Sequence, residues 1–209
     1  MWRILLYAST GEVFTWARHI LLLIGVLSLA VGAMFLRRTN NYKRFMSYST
    51  VENMGIVAIG MGIGGVALWA AVFHVVCHTL IKSSMFYQIG IMRHIYDSYS
   101  INRIGNYINI NRVGAIGFIV GTLVLLAFPP SPLFISEIMI FTEIVSLGSW
   151  WLLAIMLILL RVVIYNIWSR SLRLNYHSNQ DTLHLSEVNR RLSYSAAVLL
   201  VIAIVIGLW

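Results

Sequence analysis

Three ionisable residues recur at four-residue intervals inside one apolar stretch. His74, His78 and Lys82 lie in segment 66–90, whose other residues are mostly apolar. In an α-helix a four-residue step turns the chain by about 40° and raises it by about 6 Å, so the three side chains form a slanting row on one face. Titratable groups in an apolar helix are costly, and they usually face a bundle interior or a water-filled path.

The residue types in this row suit proton transfer through a membrane. Histidine exchanges protons near neutral pH, and burial can bring a lysine to do the same. Two other interpretations stay open: a histidine pair at this spacing could bind a metal or haem, or either ring could simply hydrogen-bond a neighbouring helix. The lysine one turn further on, and the lack of Cys, Asp or Glu ligands beside the pair, make a metal the weaker alternative.

Composition indicates an integral membrane protein. Hydrophobic residues make up 59% of the 209 residues and charged residues only 11%, whereas about a quarter of a soluble domain is charged. We therefore predict an all-α, polytopic transmembrane bundle of about six spans. The net charge of +8 comes from basic residues at the ends of apolar segments, which predicts contact with a lipid membrane and no nucleic acid. The single Cys77 excludes a disulfide within the chain.

The apolar segments predict a single membrane domain over 1–209, with one span broken by proline. The spans are expected at about 16–36, 45–63, 66–90, 114–147, 149–168 and 192–209. The fourth contains Pro129, Pro130 and Pro132, the only prolines of the chain, so we predict a broken helix whose freed backbone is buried or lines a polar cavity. Residues 1–13 are predicted to be a short helical piece, too short to span and unlike a signal peptide.

Basic residues concentrate in three connections, 37–44, 91–112 and 169–191. Six crossings place all three on one side of the membrane, and the excess of Lys and Arg predicts that this side is cytoplasmic. Lys43 lies in the first of these connections and is better explained as a surface anchor than as a relay group, although it stays a secondary candidate.

Carboxylates add further candidate relay residues. Glu137 lies just beyond the proline break, where it could transfer protons or simply stabilise the start of the following half-helix. Glu143 comes six residues later on a different face, and it could form an intramembrane ion pair with Arg161. Glu52 lies in the second span. The primary relay candidates are therefore the His-His-Lys row and Glu137, with no catalytic, cofactor-binding or metal-ligating residue predicted.

Three ordered segments carry a family resemblance: YKRFMSYSTVENMGIVAIG, HVVCHTLIKSSMFYQIG and GTLVLLAFPPSPLFISEIMIF. The sequence resembles the antiporter-like, proton-translocating membrane subunits of respiratory complex I and of energy-converting [NiFe] hydrogenases. Glu52 and PPSPLFISE make it most similar to the hydrogenase-4 component F and formate hydrogenlyase branch. Such proteins have about fourteen spans in inverted repeats, and this sequence resembles the last six, with 1–13 similar to the tail of the preceding helix.

The resemblance implies roles for particular residues. His74, His78 and Lys82 correspond to the family's His-rich helix, and Glu137 to the acidic residue of its second broken helix. Asn53 stands where relatives often have histidine. The family half that carries a helix-borne Glu and two key lysines has no counterpart in this sequence.

The function expected from this resemblance is proton translocation in a redox-driven complex of a bacterial or archaeal cytoplasmic membrane. This chain would hold no cofactor. Its partners would be other membrane subunits and a peripheral redox module that carries Fe–S clusters and NiFe or flavin. The alternatives are a subunit of a multi-subunit cation/proton antiporter, and a shortened structural subunit that does not pump.

Overall fold

A computed structural model describes residues 12–176 and 190–208, and all regular structure within these ranges is helical. The helices are α1 (Glu12–Arg38), α2 (Tyr42–Ile63), α3 (Gly65–Tyr96), α4 (Tyr107–Ile110), α5 (Arg112–Leu125), α6 (Pro132–Ser146), α7 (Trp150–Tyr176) and α8 (Arg190–Leu208). The predicted all-α class is confirmed. The predicted N-terminal piece, 1–13, lies outside the described residues except for its last two, which belong to α1.

The described helices form a polytopic membrane bundle. Three of them, Thr15–Arg38 of α1, α3 and α7, are each long and apolar enough to cross a membrane. The 22 residues of α2 extend about 33 Å, which also suffices for a crossing. The remaining crossings of a bundle of about six spans come from the pair α5 and α6 and from α8.

The proline segment breaks the fourth span between α5 and α6. Ser131 caps the second half-helix, because its side chain accepts a hydrogen bond from the backbone N–H of Phe134 at 3.1 Å. Pro132 follows at the first helical position, where a backbone donor is not required. The predicted broken helix is thus confirmed, and its second half starts with a side-chain cap.

The described parts of the three basic connections meet at one end of the bundle. The backbone N–H of Tyr42 donates to the carbonyl of Tyr99 at 2.9 Å, which joins the first connection to the second. Arg170 of α7 donates to the carbonyl of Arg37 at 2.8 Å and also to that of Thr39. α7 extends past the predicted end of its span at residue 168.

The extension of α7 is stabilised by burial of one face of its last turns, where Ser171, Leu174 and Asn175 are all buried. The polar sequence 169–176 therefore continues a helix that apolar composition alone would end earlier.

Short glycine links occupy the other end of the bundle. Gly64 joins α2 to α3 with φ 80°, and Gly148 joins α6 to α7 with φ 68°; both values lie in the left-handed region that glycine adopts without strain. The two links border one cavity of about 220 Å³, which Ile63 and Leu147 help to line. The two sets of connections therefore lie at opposite ends, as six crossings require.

Helices α1 and α2 approach each other closely at glycines. A Cβ atom added at Gly55 would lie 2.8 Å from the carbonyl oxygen of Gly25 and 2.9 Å from the backbone nitrogen of Leu29. Both contacts are with backbone, which cannot move aside as a flexible side chain can. Small residues thus set the distance between these helices, and dispersion contacts stabilise the pair.

We expect Gly55→Ala to destabilise the bundle by about 1–3 kcal/mol, because the added methyl group overpacks the contact between α1 and α2. Gly90→Ala is the matched control, since a Cβ there meets no atom within 4 Å, and it should change stability by less than about 1 kcal/mol. Thermal unfolding in detergent measures both. Equal melting temperatures for the two variants would contradict the close approach.

Candidate proton-transfer site

The His-His-Lys row faces the interior of the bundle. His74, His78 and Lys82 are only 0%, 3% and 6% exposed. The two imidazole rings lie nearly parallel, with centroids 6.1 Å apart and planes inclined by 16°. Four-residue spacing on α3 places all three groups on one face, as the sequence predicts, and that face is covered by α2 and α6.

His74 connects α3 to both neighbouring helices. Its Nε2 atom lies 3.1 Å from Oδ1 of Asn53 on α2, and its Nδ1 atom lies 2.8 Å from Oγ of Ser136 on α6. The amide nitrogen of Asn53 donates to Glu52 at 2.7 Å and to the carbonyl of Ser49 at 2.8 Å. The amide oxygen is therefore an acceptor, so Nε2 of His74 carries a proton and donates it to Asn53.

This arrangement can hold His74 in two protonation states. When the ring is neutral, its Nδ1 atom accepts a hydrogen bond from the Ser136 hydroxyl. When Nδ1 binds a proton it donates to Ser136 Oγ, and the hydroxyl donates instead to the carbonyl of Leu133, which lies 2.8 Å away. No helix has to move, because a hydroxyl rotation serves both states.

Lys82 is held by the first half of α2. Its ammonium group donates to the carbonyl of Met46 at 2.7 Å and to the hydroxyl of Ser49. The carboxyl group of Glu52, itself 2% exposed, is close enough for its charge to interact with that of Lys82. Ser49 and Asn53 are one helical turn apart, so α2 supplies hydrogen bonds to both ends of the row.

His78 lies between these two anchored groups. Within the described part of the chain its Nε2 atom is buried and has no hydrogen-bond partner. With Lys82 it lines an open groove of about 900 Å³ along α3, whose wall includes the hydroxyls of Thr79 and Ser83. The middle of the row and its Lys82 end thus reach an opening in the surface.

Glu137 lies beside a residue that contacts the row, but it lines another space. Its neighbour Ser136 contacts His74, whereas Glu137 is turned about 100° around α6 and lines a cavity of about 290 Å³ together with Arg161. The structure therefore places the serine against the row, with the carboxyl group on the adjoining face of the helix.

Glu143 and Arg161 do not form the ion pair predicted as one interpretation. The Oε1 atom of Glu143 lies against Gly65, 2.7 Å from where a Cβ would be, while Arg161 lies at the Glu137 cavity. Among the described residues the one ion pair joins Arg93 and Asp97. Glu143 does not reach the cavity that holds Arg161, because a six-residue step along α6 leaves Glu137 and Glu143 on different faces of the helix.

Lys43 lies at the basic end of the bundle, away from the row. It is exposed, with its ammonium group 5.9 Å from the ring centroid of Tyr99.

The sequence analysis missed Ser49 and Ser136, and for Asn53 it noted only a departure from the family pattern. The available signals were the four-residue spacing of Ser49 and Asn53 and the position of Ser136 beside Glu137. No three His, Cys, Asp or Glu side chains come together as metal ligands in the described ranges.

Comparison with known proteins identifies relatives of several kinds. The chain is 30% identical over 128 residues to a hydrogenase-4 component F homolog of Methylacidiphilum infernorum, covering 61% of this chain and 27% of that protein. It is 28% identical over 210 residues to NADH-quinone oxidoreductase subunit N of Thiobacillus denitrificans, covering 97% of this chain and 42% of the relative. The chain therefore spans less than half the length of these relatives.

A solved structure shares the fold. A chain of the Mrp complex from Dietzia sp. DQ12-45-1b superimposes with a TM-score of 0.82 at 12% identity, covering 93% of this chain and 45% of that one. At this level of identity the likeness concerns the fold alone. It confirms the predicted helix-bundle fold, and the bacterial relatives agree with the predicted location in a cytoplasmic membrane.

The family model described as NADH:quinone oxidoreductase/Mrp antiporter, transmembrane, matches residues 1–163, more than half of the chain. The resemblance stated from the three sequence segments is thereby confirmed. This chain belongs to the NADH:quinone oxidoreductase/Mrp antiporter transmembrane family.

Proposed function

We propose that this chain is a proton-translocating subunit of a membrane complex, and that His74, His78 and Lys82 transfer the protons. The observation that carries this proposal is the buried network in which α2 binds both ends of the row through Asn53 and Ser49. Ionisable groups at membrane depth are costly. A row in which such groups are buried, evenly spaced and hydrogen-bonded at both ends is better explained by ion transfer than by packing.

In the proposed path His78 passes protons between its two neighbours. The asparagine amide does not exchange protons near neutral pH, so the route from His74 to Lys82 runs through the His78 ring and not through α2. A proton on Lys82 disfavours a proton on His78, because the charges repel at a separation of one helical turn. The Glu52 carboxylate favours a charged Lys82. A proton bound at one end of the row therefore changes how readily the other end binds a proton.

Glu137 extends the proposed path beyond α6. It is adjacent to Ser136, the partner of His74, and the cavity it shares with Arg161 offers space on the far side of the helix. Glu143 and Lys43 lie outside this path and serve as comparison positions.

The partners belong to the same proposal. The named relatives include a hydrogenase-4 component and an NADH-quinone oxidoreductase subunit, which supports assembly with other membrane subunits and a peripheral redox module. That module would carry the Fe–S clusters and the NiFe or flavin group. The second candidate function is cation/proton exchange without a redox partner, and the likeness to a chain of the Mrp complex favours it.

Lys82→Gln and His78→Gln should each lower proton transport at least tenfold while the complex still assembles. Glutamine at 82 keeps hydrogen-bond donors for α2 but cannot carry a proton through the row. Transport is measured as acidification of membrane vesicles with a pH-sensitive dye. Lys43→Gln removes an exposed charge of the same kind and should leave transport unchanged. Normal acidification by both row variants, or equal loss in the control, would contradict the proposed path.

Glu52→Gln tests the coupling of the carboxyl group to Lys82. The amide oxygen of glutamine still accepts the hydrogen bond from Asn53, so the fold should be kept, whereas the charge near Lys82 is lost. We expect transport to fall several-fold in the same vesicle assay. Glu143→Gln removes a carboxylate outside the network and should have little effect on transport. An equal fall in transport in this control would contradict a specific role for Glu52.

Isolation of the native chain in a mild detergent separates the two candidate functions. The redox-driven proposal predicts co-purification of a hydrogenase or quinone-reductase module, identified by mass spectrometry, with proton transport that needs the electron donor and not Na⁺ or K⁺. Recovery with only antiporter-type partners, and transport that requires Na⁺ or K⁺, would establish the exchange function instead.

A further inference from the structure

An apolar groove of about 660 Å³ lies between α1 and α7, towards the basic end of the bundle. Ala30, Ala33 and Met34 of α1 form one wall, and Leu159 and Val162 of α7 form the other. The alanines leave room between the helices, and Met34, 60% exposed, lies at the open side. The groove therefore opens sideways, towards the hydrocarbon of the bilayer.

Two arginines complete the groove at its polar end. Arg37 and Arg38, in the last turn of α1, line the same space and are exposed. In the described ranges neither forms an ion pair with a carboxylate, since the one ion pair there joins Arg93 and Asp97. Of the residues that the structure describes, no acidic one lines the groove.

Arg170 of α7 fixes the end of α1 beside the groove. Its guanidinium group donates to the carbonyls of Arg37 and Thr39 and lies over the ring of Phe45, with the guanidinium carbon 5.3 Å from the centroid. The end of α1 that carries Arg37 and Arg38 is thus held beside the groove by α7.

The groove is short enough to fit within one leaflet of a membrane. From Arg37 to Ala30 is seven residues, or about 10 Å along α1, compared with about 15 Å for half of the hydrocarbon core. A molecule in this groove would place an anionic group at the arginines and an apolar tail between the helices.

We propose that this groove binds an anionic phospholipid, with its phosphate at Arg37 and Arg38 and an acyl chain against Ala30 and Ala33. Guanidinium groups bind phosphate oxygens in a bidentate manner, and basic pockets between transmembrane helices suit anionic headgroups. A zwitterionic lipid would add an unpaired cationic group beside the arginines. The proposal does not depend on proton transfer, because the groove and the His-His-Lys row use different residues.

The test uses the full chain in the membrane assembly with which it purifies, depleted of lipid and titrated with phosphatidylglycerol. Native mass spectrometry measures the bound lipid, with phosphatidylcholine as the comparison. We expect phosphatidylglycerol to bind preferentially, and Arg37→Gln with Arg38→Gln to weaken its binding by about fivefold for each arginine. Met34→Trp fills the open side without changing a charge and should also weaken binding.

Arg103→Gln with Arg112→Gln is the matched control, since it removes two exposed charges from the same end of the bundle but not from the groove. This control should keep phosphatidylglycerol binding. Equal binding of both lipids, equal loss in the control, or unchanged binding by Met34→Trp would overturn the proposal. Capture of another polypeptide by a photo-crosslinker at position 34 would overturn it as well, by showing a protein occupant.

Discussion

Burial of ionisable groups at membrane depth is the constraint on which the rest of this structure depends. His74 and Lys82 can lie in the bundle only because α2 presents hydrogen-bonding groups one turn apart, at Ser49 and Asn53. For α2 to be placed in this way it must pack closely on α1, which the glycines allow, and the broken helix must bring Ser136 to the opposite side of His74. The packing of three helices thus serves one polar network.

The same contacts that stabilise the network also suit it to proton transfer. A hydroxyl that can rotate, as Ser136 can between His74 and Leu133, stabilises a ring before and after it binds a proton. Fixed amide partners on the other side keep the ring in place. Such a site combines a hydrogen-bond partner for both protonation states with a rigid position, and a membrane relay needs both properties. Family membership gives an independent reason to expect transport.

The sequence predicts much of the fold, because its signals are local. Apolar length indicates spans, prolines indicate the break, and four-residue spacing indicates the row on α3. The partners of that row come from helices far away in the chain, and their contacts depend on how each helix is rotated. For this reason the contact of Ser136 with His74 was not predicted, and Glu143 lies at Gly65, away from Arg161. A single sequence does not determine these rotations.

Proton pumping with and without this chain tests the central claim most directly. Vesicles from cells that lack the chain, and from the same cells supplied with it again, would be compared while electron transfer is measured in parallel. Our account predicts that acidification is lost without the chain and restored with it, at a comparable rate of electron transfer. Full acidification in vesicles without the chain would contradict the account.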